Sequence, residues 1–341
     1  MRVVSMTRLP LYCSAWTEFR NESVTCPCSM KERVGREVVM KASQLITRGL
    51  VLLLLFVSVA CDGSDSASGT GEASIQDSTQ TVDTTLKLYV FECGRLRFDT
   101  VENFSIGNDE TDVRDLVVPC YIIDHPAGRM IWDGGLPSYV ADTEGWHDNE
   151  RIGRTAQLDR TLAEQLSELE LGFDLNSFDY MAFSHIHYDH VGVANEVSGA
   201  RWLVQRGDFD AAFAEPATVP ALQPELLANL RDGDYLILDG DHDVFGDGRV
   251  QLISAPGHTP GHQVLFLDLV ETGPLVLSGD LYHFRLSRED RRVPVFNVDP
   301  MLSLASMDRV ETLVAERNAT MWIEHDLALF ETLRTAPEFY E

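Results

Sequence analysis

The sequence has little positive charge. Its 341 residues include 27 Lys and Arg against 54 Asp and Glu, which gives a formal net charge of −27 at pH 7. Only one lysine, Lys87, follows residue 60. A surface of this kind repels phosphate groups. It excludes nucleic acids and polyanions held by surface charge as partners.

Long hydrophobic runs are also scarce. The only one is Gly49–Ala60, and a membrane-spanning helix needs ~20 residues, so about a dozen are too few. Basic residues precede the run and Cys61 follows it, which is typical of a secretory signal over residues 40–60. The Ala60–Cys61 junction resembles the cleavage site of bacterial lipoproteins. We therefore expect an exported, periplasmic protein, either an inner-membrane lipoprotein acylated at Cys61 or, without lipid, a soluble periplasmic or secreted one.

The rest of the sequence divides into three parts. Residues 1–39 show no clear periodicity, and we expect them to be an upstream extension, with translation starting at Met40 or Met30. Residues 61–85 are rich in Ser, Thr, Gly and Asp, which predicts a flexible tether. Residues 86–341 are long enough for one domain of the larger kind.

Cysteine is sparse within residues 86–341, where only Cys93 and Cys120 occur. Both lie in apolar, strand-like runs. They either pair in an oxidising compartment or remain two buried thiols. The earlier Cys26-x-Cys28 pair has no second pair at zinc spacing, so it does not indicate a zinc site.

The domain alternates strand-like and helix-like patterns. Apolar runs predict strands at 86–91, 115–124, 130–132, 180–183, 202–205, 250–254, 274–278 and 320–324. Leucine spacing predicts one helix over 156–171, between Thr155 as cap and Gly172 as stop. A second helix over 300–317 begins at Asp299 as cap.

Two further segments between these elements are irregular. Residues 206–231 should form a broken helical segment that lies over the site and packs onto the body of the domain. Residues 239–248 are acidic but lack the pattern of a calcium loop, which predicts a solvated hairpin turn.

Motifs for several common chemistries are absent: there is no Gly-x-Ser-x-Gly, P-loop or Rossmann glycine pattern. What stands out is Ser184–Gly192, which holds His185, His187, Asp189 and His190 within six residues. Imidazole and carboxylate are ligands that Zn²⁺ and similar ions prefer. Adjacent Asp189 and His190 point in different directions, so the spacing suits two metals side by side. The alternative is a polar turn that happens to be rich in histidine.

Three later apolar runs each end in another potential ligand, namely His258, Asp280 and His325. Loops at strand ends converge at one edge of a sheet, so we expect these residues to join the Ser184–Gly192 cluster. Asp133 also follows a strand. It either supports a histidine ligand or simply forms a turn before Gly134.

Together these motifs resemble the metallo-β-lactamase superfamily. The phrases PCYIIDHPAG, IWDGG, FSHIHYDHVG, APGHTPGH, LSGDLYHF and WIEHDL resemble its N-acyl-homoserine lactonase branch and cover residues 86–341. The resemblance implies an α/β fold, a four-layer αβ/βα sandwich with a dinuclear metal site at the edge of the sheets.

The resemblance also implies how the ligands divide. One ion would be bound by His185, His187 and His258, the second by Asp189, His190 and His325, with Asp280 bridging them. The ions would be two Zn²⁺ in the usual case, with iron, manganese or cobalt in relatives.

Catalytic residues follow from the same resemblance. Asp189 would relay a proton to the leaving group. Many lactonases of this branch have a tyrosine three positions after the bridging aspartate, where it contacts the substrate. Here that position is His283 and the tyrosine is Tyr282, so either residue takes the role.

The function implied is a metal-dependent hydrolase of ester bonds that opens lactones, acyl-homoserine lactones among them, by attack of a metal-bridging hydroxide. The expected partners are a small lactone or ester, no nucleic acid, and a membrane only through a lipid at Cys61. The alternatives are a β-lactamase, arylesterase or phosphotriesterase on the same site, or a non-catalytic metal-binding lipoprotein. A diiron redox protein would need a flavin domain, for which the chain has no room.

Overall fold

The computed structural model describes residues 85–151 and 153–341. The predicted upstream extension (1–39), signal peptide (40–60), nearly all of the tether (61–85) and the lipid site at Cys61 lie outside the described residues. None of the helices in the described part has the length and apolar character needed to cross a bilayer.

Fourteen strands and five α-helices build the described part of the chain. The strands are β1 (Lys87–Arg97), β2 (Asp115–His125), β3 (Gly128–Trp132), β4 (His147–Asn149), β5 (Arg154–Gln157), β6 (Tyr180–Ala182), β7 (Arg201–Gln205), β8 (Tyr235–Leu238), β9 (His242–Asp243), β10 (Val250–Ser254), β11 (Gln263–Leu269), β12 (Gly273–Leu277), β13 (Thr320–Trp322) and β14 (Phe339–Tyr340). The helices are α1 (Leu162–Leu169), α2 (Arg206–Ala212), α3 (Arg285–Glu289), α4 (Pro300–Arg317) and α5 (Leu327–Phe330).

The strands form two sheets. The first has nine strands in the order β4-β5-β1-β2-β3-β6-β7-β8, with β14 paired to β1. The second has five, in the order β13-β12-β11-β10-β9. Strands β3, β6, β7 and β8 are parallel neighbours, as are β12 and β13, whereas the other pairs are antiparallel. Both sheets are therefore mixed.

The side-chain alternation of each sheet fills two layers of core. Along β1, Leu88 and Val90 belong to the core between the sheets, whereas Tyr89 and Phe91 belong to the core on the α1 side. Because successive strand residues point to opposite faces, one strand supplies both layers.

The strands of the second sheet also supply side chains to two layers, one between the sheets and one against α4. On β11, Leu265 and Leu267 face the other sheet, and Phe266 packs with Met307 and Val310 of α4. The layers are thus helix, sheet, sheet, helix. This confirms the expected αβ/βα sandwich.

One helix boundary was predicted wrongly. Residues 154–157 form β5, whose Ala156 pairs with Leu96 of β1, so α1 begins only at Leu162. Its cap is Thr161 rather than Thr155. Thr161 and Glu164 form a reciprocal capping box, and Glu170, in the left-handed conformation, ends the helix before Gly172. Pairing with β1 therefore places in strand β5 residues that leucine spacing had assigned to the helix.

Helix α4 matches its prediction. It spans Pro300–Arg317, and the side chain of Asp299 accepts a hydrogen bond from the backbone N–H of Leu302. The predicted irregular segment consists of α2 and a 3-10 helix at Pro224–Leu230. Its apolar side chains pack into the core on the α1 side, as expected.

The acidic 239–248 segment carries the chain from one sheet to the other. It leaves β8 of the first sheet and enters β9 of the second. A tight turn follows between β9 and β10, where the carboxylate of Asp243 accepts hydrogen bonds from the backbone N–H groups of Gly246 and Gly248. That carboxylate is therefore part of a turn, as predicted.

Cys93 and Cys120, for which the sequence left two readings, form a disulfide. It links β1 to its antiparallel neighbour β2 within the first sheet. The bond lies in the core on the α1 side.

Candidate metal centre

The topology brings the strand ends of the second sheet to one edge. Strands β10, β12 and β13 run in the same direction, because β11 is antiparallel to both β10 and β12 and because β12 is parallel to β13. Their carboxyl ends lead to His258, Asp280 and His325 respectively. The loop after β6 of the first sheet, Ser184–Gly192, reaches the same place. The backbone N–H of Gln263 holds it there by donating to the carbonyl oxygen of Ser184 over 2.8 Å.

The first group of potential ligands consists of His185, His187, His258 and Asp280, all buried. Nε2 of His258 lies 3.1 Å from Nε2 of His185 and 3.1 Å from Nδ1 of His187. Oδ2 of Asp280 lies 3.2 Å from the same His258 atom. One ligand atom from each residue lies within 4.8 Å of all the others.

The second group consists of Asp189, His190 and His325. Oδ1 of Asp280 lies 2.9 Å from Nε2 of His325 and 3.4 Å from Nε2 of His190. The two carboxylate oxygens of Asp280 therefore face one group each. Asp280 is placed as a bridging ligand would be.

These residues fit a pair of divalent cations. Three imidazole nitrogens and a carboxylate oxygen converge on one buried point, and Nε2 of His190 has no hydrogen-bond partner. Burial holds the pKa of His185 and that of His187 well below their usual range. Both imidazoles are therefore neutral, which is the form that ligates a metal.

Hydrogen bonds on the far side of the rings fix which nitrogen faces inward. Nδ1 of His258 donates to Oδ1 of Asn297 over 2.9 Å, and Nδ1 of His325 donates to the carbonyl oxygen of Val117 over 2.7 Å. In both histidines Nε2 is left free for a metal. Gly257 allows this placement, because a side chain there would collide with Ser303 of α4.

Asp133 supports the site rather than only forming a turn. It is fully buried, and Oδ2 lies 3.2 Å from Nδ1 of His190, so that this nitrogen donates to the carboxylate. Oδ1 accepts a hydrogen bond of 2.6 Å from the backbone N–H of Ser184. One carboxylate thus positions both a ligand and the start of the ligand loop.

The structure separates Tyr282 from His283. The Tyr282 hydroxyl donates to Oε1 of Glu311 on α4 over 3.1 Å, and the ring packs in the core beneath that helix. Burial, together with Glu311, raises the pKa of Tyr282. Nε2 of His283, by contrast, lies 2.9 Å from Oδ2 of Asp280. Of the two candidates, only His283 is brought to the metal centre.

Two residues of the site were missed from the sequence. Asn297 orients His258, and Glu324 is a buried carboxyl near Asp133 and His190. Burial raises the pKa of Glu324 well above its usual range. For Glu324, the only indication in the sequence was its position next to His325. Nothing in the sequence indicated Asn297, because it lies in a loop far along the chain from His258.

A cavity of about 250 Å³ lies over the centre. Ligand side chains form its floor, and its walls include Phe104, Phe296, His283, Tyr188 and Arg154. Pro220 and Ala221 of the irregular segment also line it, so this segment borders the site as expected. The rings of Phe98, Phe104, Tyr188 and Phe296 form part of the lining, which extends to the carboxylate of Asp280.

Comparisons with known proteins agree with this geometry. The chain is similar to the N-acyl homoserine lactonase AttM of Agrobacterium fabrum, with 28% identity over 271 residues that cover 75% of this chain and 99% of that protein. It is also similar to the N-acyl homoserine lactonase AiiA of Bacillus thuringiensis subsp. kurstaki, with 27% identity over 261 residues and the same coverage.

The chain is also similar to a solved structure of such a hydrolase. An N-acyl homoserine lactone hydrolase with the product N-hexanoyl-L-homoserine at its catalytic metal center matches with a TM-score of 0.63 and 28% identity, over 75% of this chain and 99% of that one. The family model for the metallo-beta-lactamase superfamily matches residues 113–320. That match spans more than half of the sequence, and the chain belongs to the metallo-beta-lactamase superfamily.

Proposed function

We propose that the protein is a metal-dependent lactonase that opens N-acyl homoserine lactones. The observation that carries the proposal is the position of Asp280, whose two oxygens face two separate ligand groups at the floor of one cavity. The similarity to AttM and AiiA along three quarters of the chain selects the lactone among ester substrates.

The residues divide between two ions, for which zinc is our proposal. His185, His187 and His258 would hold one ion, Asp189, His190 and His325 the other, and Asp280 both. Two divalent ions would supply a Lewis acid for the lactone carbonyl and a water that ionises near neutral pH.

The chain's own side chains would then orient the substrate. His283 forms a wall of the cavity beside Asp280, where it can contact the lactone oxygens. Asp189 also lines the cavity and is partly exposed, so its carboxylate is placed to pass a proton to the leaving oxygen. The rings of Phe104 and Phe296 would exclude water from one side.

The test combines metal analysis with a substrate panel on one preparation of residues 86–341. We expect about two divalent ions per chain and turnover of N-acyl homoserine lactones, both reduced in His258→Ala. Turnover of β-lactams, aryl esters or phosphotriesters without any lactone would assign one of the alternative hydrolases. Metal binding with no activity on any panel would leave a non-catalytic metal-binding protein.

We also propose that the chain is exported and held at the periplasmic face of the inner membrane by a lipid on Cys61. The apolar run 49–60 and the Ala60–Cys61 junction support this. Fractionation of cells that express the full chain tests it. Membrane recovery that is lost in Cys61→Ser is expected, and recovery in the cytosolic fraction would contradict export.

A further inference from the structure

The Cys93–Cys120 disulfide lies at an irregular point of the first sheet. Two residues of β1, Cys93 and Gly94, stand opposite the single residue Val118 of β2. A bulge of this kind interrupts the ladder of backbone hydrogen bonds. The next residue of β2, Pro119, has no N–H to donate to the ladder. The disulfide therefore joins the two strands covalently at a point where their hydrogen bonding is interrupted.

Residues 133–136, which follow β3 and which we call the support segment, pack directly onto this disulfide. Gly135 has a φ of +65°, and a Cβ there would collide with that of Cys93 and lie 2.9 Å from Sγ of Cys120. The backbone N–H of Leu136 donates to the carbonyl oxygen of Cys93 over 3.0 Å. The position of the support segment therefore depends on the position of both half-cystines.

The support segment holds the end of the metal-binding loop that carries His190. The N–H of Gly134 donates to the carbonyl oxygen of His190 over 2.6 Å, and the N–H of Gly192 donates to the carbonyl oxygen of Gly135 over 2.9 Å. The carboxylate of Asp133, in the same segment, accepts a hydrogen bond from Nδ1 of His190. Both the backbone and the imidazole of His190 are thus held by residues that lie on the disulfide.

The other histidine of the second ion contacts the same part of β2. Nδ1 of His325 donates to the carbonyl oxygen of Val117 over 2.7 Å. Val117 pairs with Arg95, directly beyond the bulge in β1. Both imidazoles that we assign to the second ion are therefore supported by backbone next to the disulfide.

The histidines of the first ion have other supports. His258 follows β10 of the second sheet, and its Nδ1 donates to Asn297. The start of the metal-binding loop is held by Gln263, also of the second sheet, whose N–H donates to the carbonyl oxygen of Ser184. Asp133 links the support segment to this end of the loop through the N–H of Ser184. The first ion should therefore depend less on the disulfide than the second.

We propose that the Cys93–Cys120 disulfide positions the histidines of the second metal ion, so that the protein binds both ions tightly only after the two thiols are oxidised. This inference rests on the proposed lactonase function and adds an oxidation requirement to it. Without the bond, the bulge is released and the support segment shifts, which turns His190 away from the ion.

The oxidant is a disulfide of another molecule. One cysteine thiolate attacks it and releases a first thiol, and the other cysteine then attacks the mixed disulfide and releases a second. The two protons that the cysteines lose end on the two released thiols, so the exchange is balanced.

The test measures the affinity of each site for Zn²⁺ by chelator competition. His325→Ala leaves only the first site complete, and His258→Ala leaves only the second, so each dissociation constant is measured alone. Each protein is compared in its oxidised form and after reduction with a phosphine. The phosphine takes the oxygen of one water molecule, and the two hydrogens of that water end on the two sulfurs.

Two further variants are combined with each of these proteins. Cys93→Ala/Cys120→Ala removes the bond even if the phosphine does not reach the buried sulfurs. If that variant does not fold, the reduced proteins provide the comparison. Met307→Ala is the control, because it truncates a buried residue of the core beneath α4 and so lowers stability without removing the bond.

We expect loss of the disulfide to weaken the second ion about tenfold, as loss of a group that orients a ligand does, and the first by no more than about twofold. Met307→Ala should change neither dissociation constant. Re-oxidation with oxidised glutathione should restore the affinity of the reduced protein. With all ligands present, kcat/KM for N-hexanoyl homoserine lactone should fall on reduction at limiting Zn²⁺ and recover when Zn²⁺ is raised.

Three results would overturn the proposal. Equal weakening of both ions, or the same weakening in Met307→Ala, would mean that the bond only stabilises the fold. An unchanged affinity for the second ion would mean that the support segment keeps its position without the bond.

The dissociation constants separate this inference from the function on which it rests, because they do not depend on a substrate. If no lactone is turned over but loss of the bond weakens only the second ion, the lactonase assignment fails and the positioning role stands. If lactones are turned over and neither dissociation constant responds to loss of the bond, the positioning role fails alone.

Discussion

Asp133 and His190 are joined across the first sheet, with Oδ2 of the aspartate 3.2 Å from Nδ1 of the histidine. Asp133 follows β3, whereas His190 lies in the loop after β6, and the two strands are parallel neighbours. The carboxylate therefore fixes the orientation of a ligand from an adjacent strand end. Groups that orient metal-binding histidines in this way contribute to metal affinity.

We expect Asp133→Asn to weaken binding of the second ion by about 10- to 100-fold. Asparagine tolerates the positive φ of 53° at this position but offers only one acceptor oxygen, so either His190 or the Ser184 N–H loses its partner. Chelator competition measures the affinity. Asp268→Asn, at an exposed position on β11, is the control and should bind both ions normally. Equal affinities in the two variants would contradict the role of Asp133.

Tyr282 and His283 should respond differently to loss of their polar groups. Because the Tyr282 hydroxyl contacts Glu311 rather than the cavity, Tyr282→Phe should leave kcat/KM for lactones within a few-fold of the wild type. His283→Phe removes a polar wall of the cavity, and we expect a loss of about 100-fold. Metal content measured on both variants shows whether the loss arises from substrate contact. A larger effect from Tyr282→Phe would reverse the assignment.

The buried carboxyl of Asp208 predicts a pH-dependent stability. Burial raises its pKa to about 7, although Thr259 and the Gly261 N–H donate to it. The folded protein therefore keeps a proton that the unfolded chain loses near pH 4. Its stability contribution is full below about pH 4 and decreases as the pH rises to about 7, by up to about 4 kcal/mol.

Urea unfolding of the metal-free protein at pH 5 and pH 8 tests the role of Asp208. Asp208→Asn imitates the protonated form, whose stability does not depend on this titration. The free energy of unfolding of the wild type, relative to that of the variant, should therefore be lower at pH 8 than at pH 5. Asp210→Asn, at an exposed position on the same helix, should show no such difference. An equal difference at both pH values would mean that Asp208 does not titrate in this range.

The Cys93–Cys120 disulfide should stabilise the domain. It closes a loop of 27 residues, for which the loss of chain entropy in the unfolded state is worth about 3 to 4 kcal/mol. Reductant should lower the urea midpoint by a corresponding amount. The double variant Cys93→Ala/Cys120→Ala should have the lower urea midpoint without reductant, and reductant should not change it. A wild-type midpoint that is insensitive to reductant would show that the thiols are free.

Much of the fold could be predicted because strand and helix patterns are local. The apolar runs of β1 and β2, the cap at Asp299 and the ligand spacing in Ser184–Gly192 are all visible in short windows of sequence. The boundary of α1 was not, because Ala156 pairs with Leu96 some sixty residues earlier. Pairing with a distant strand overrides a local leucine pattern, and no window of sequence contains both partners.

In the candidate site too, some features could be predicted from the sequence and others depend on contacts between distant residues. The sequence by itself determined which side chains can ligate a metal, because ligand chemistry belongs to each residue type and three of the histidines are close together in the chain. The tertiary structure alone decided that the two oxygens of Asp280 face different groups, that Asp133 supports His190, and that His283 rather than Tyr282 reaches the cavity. Such relationships depend on the direction in which each strand end delivers its side chain, and that direction is fixed only when the two sheets pack against each other.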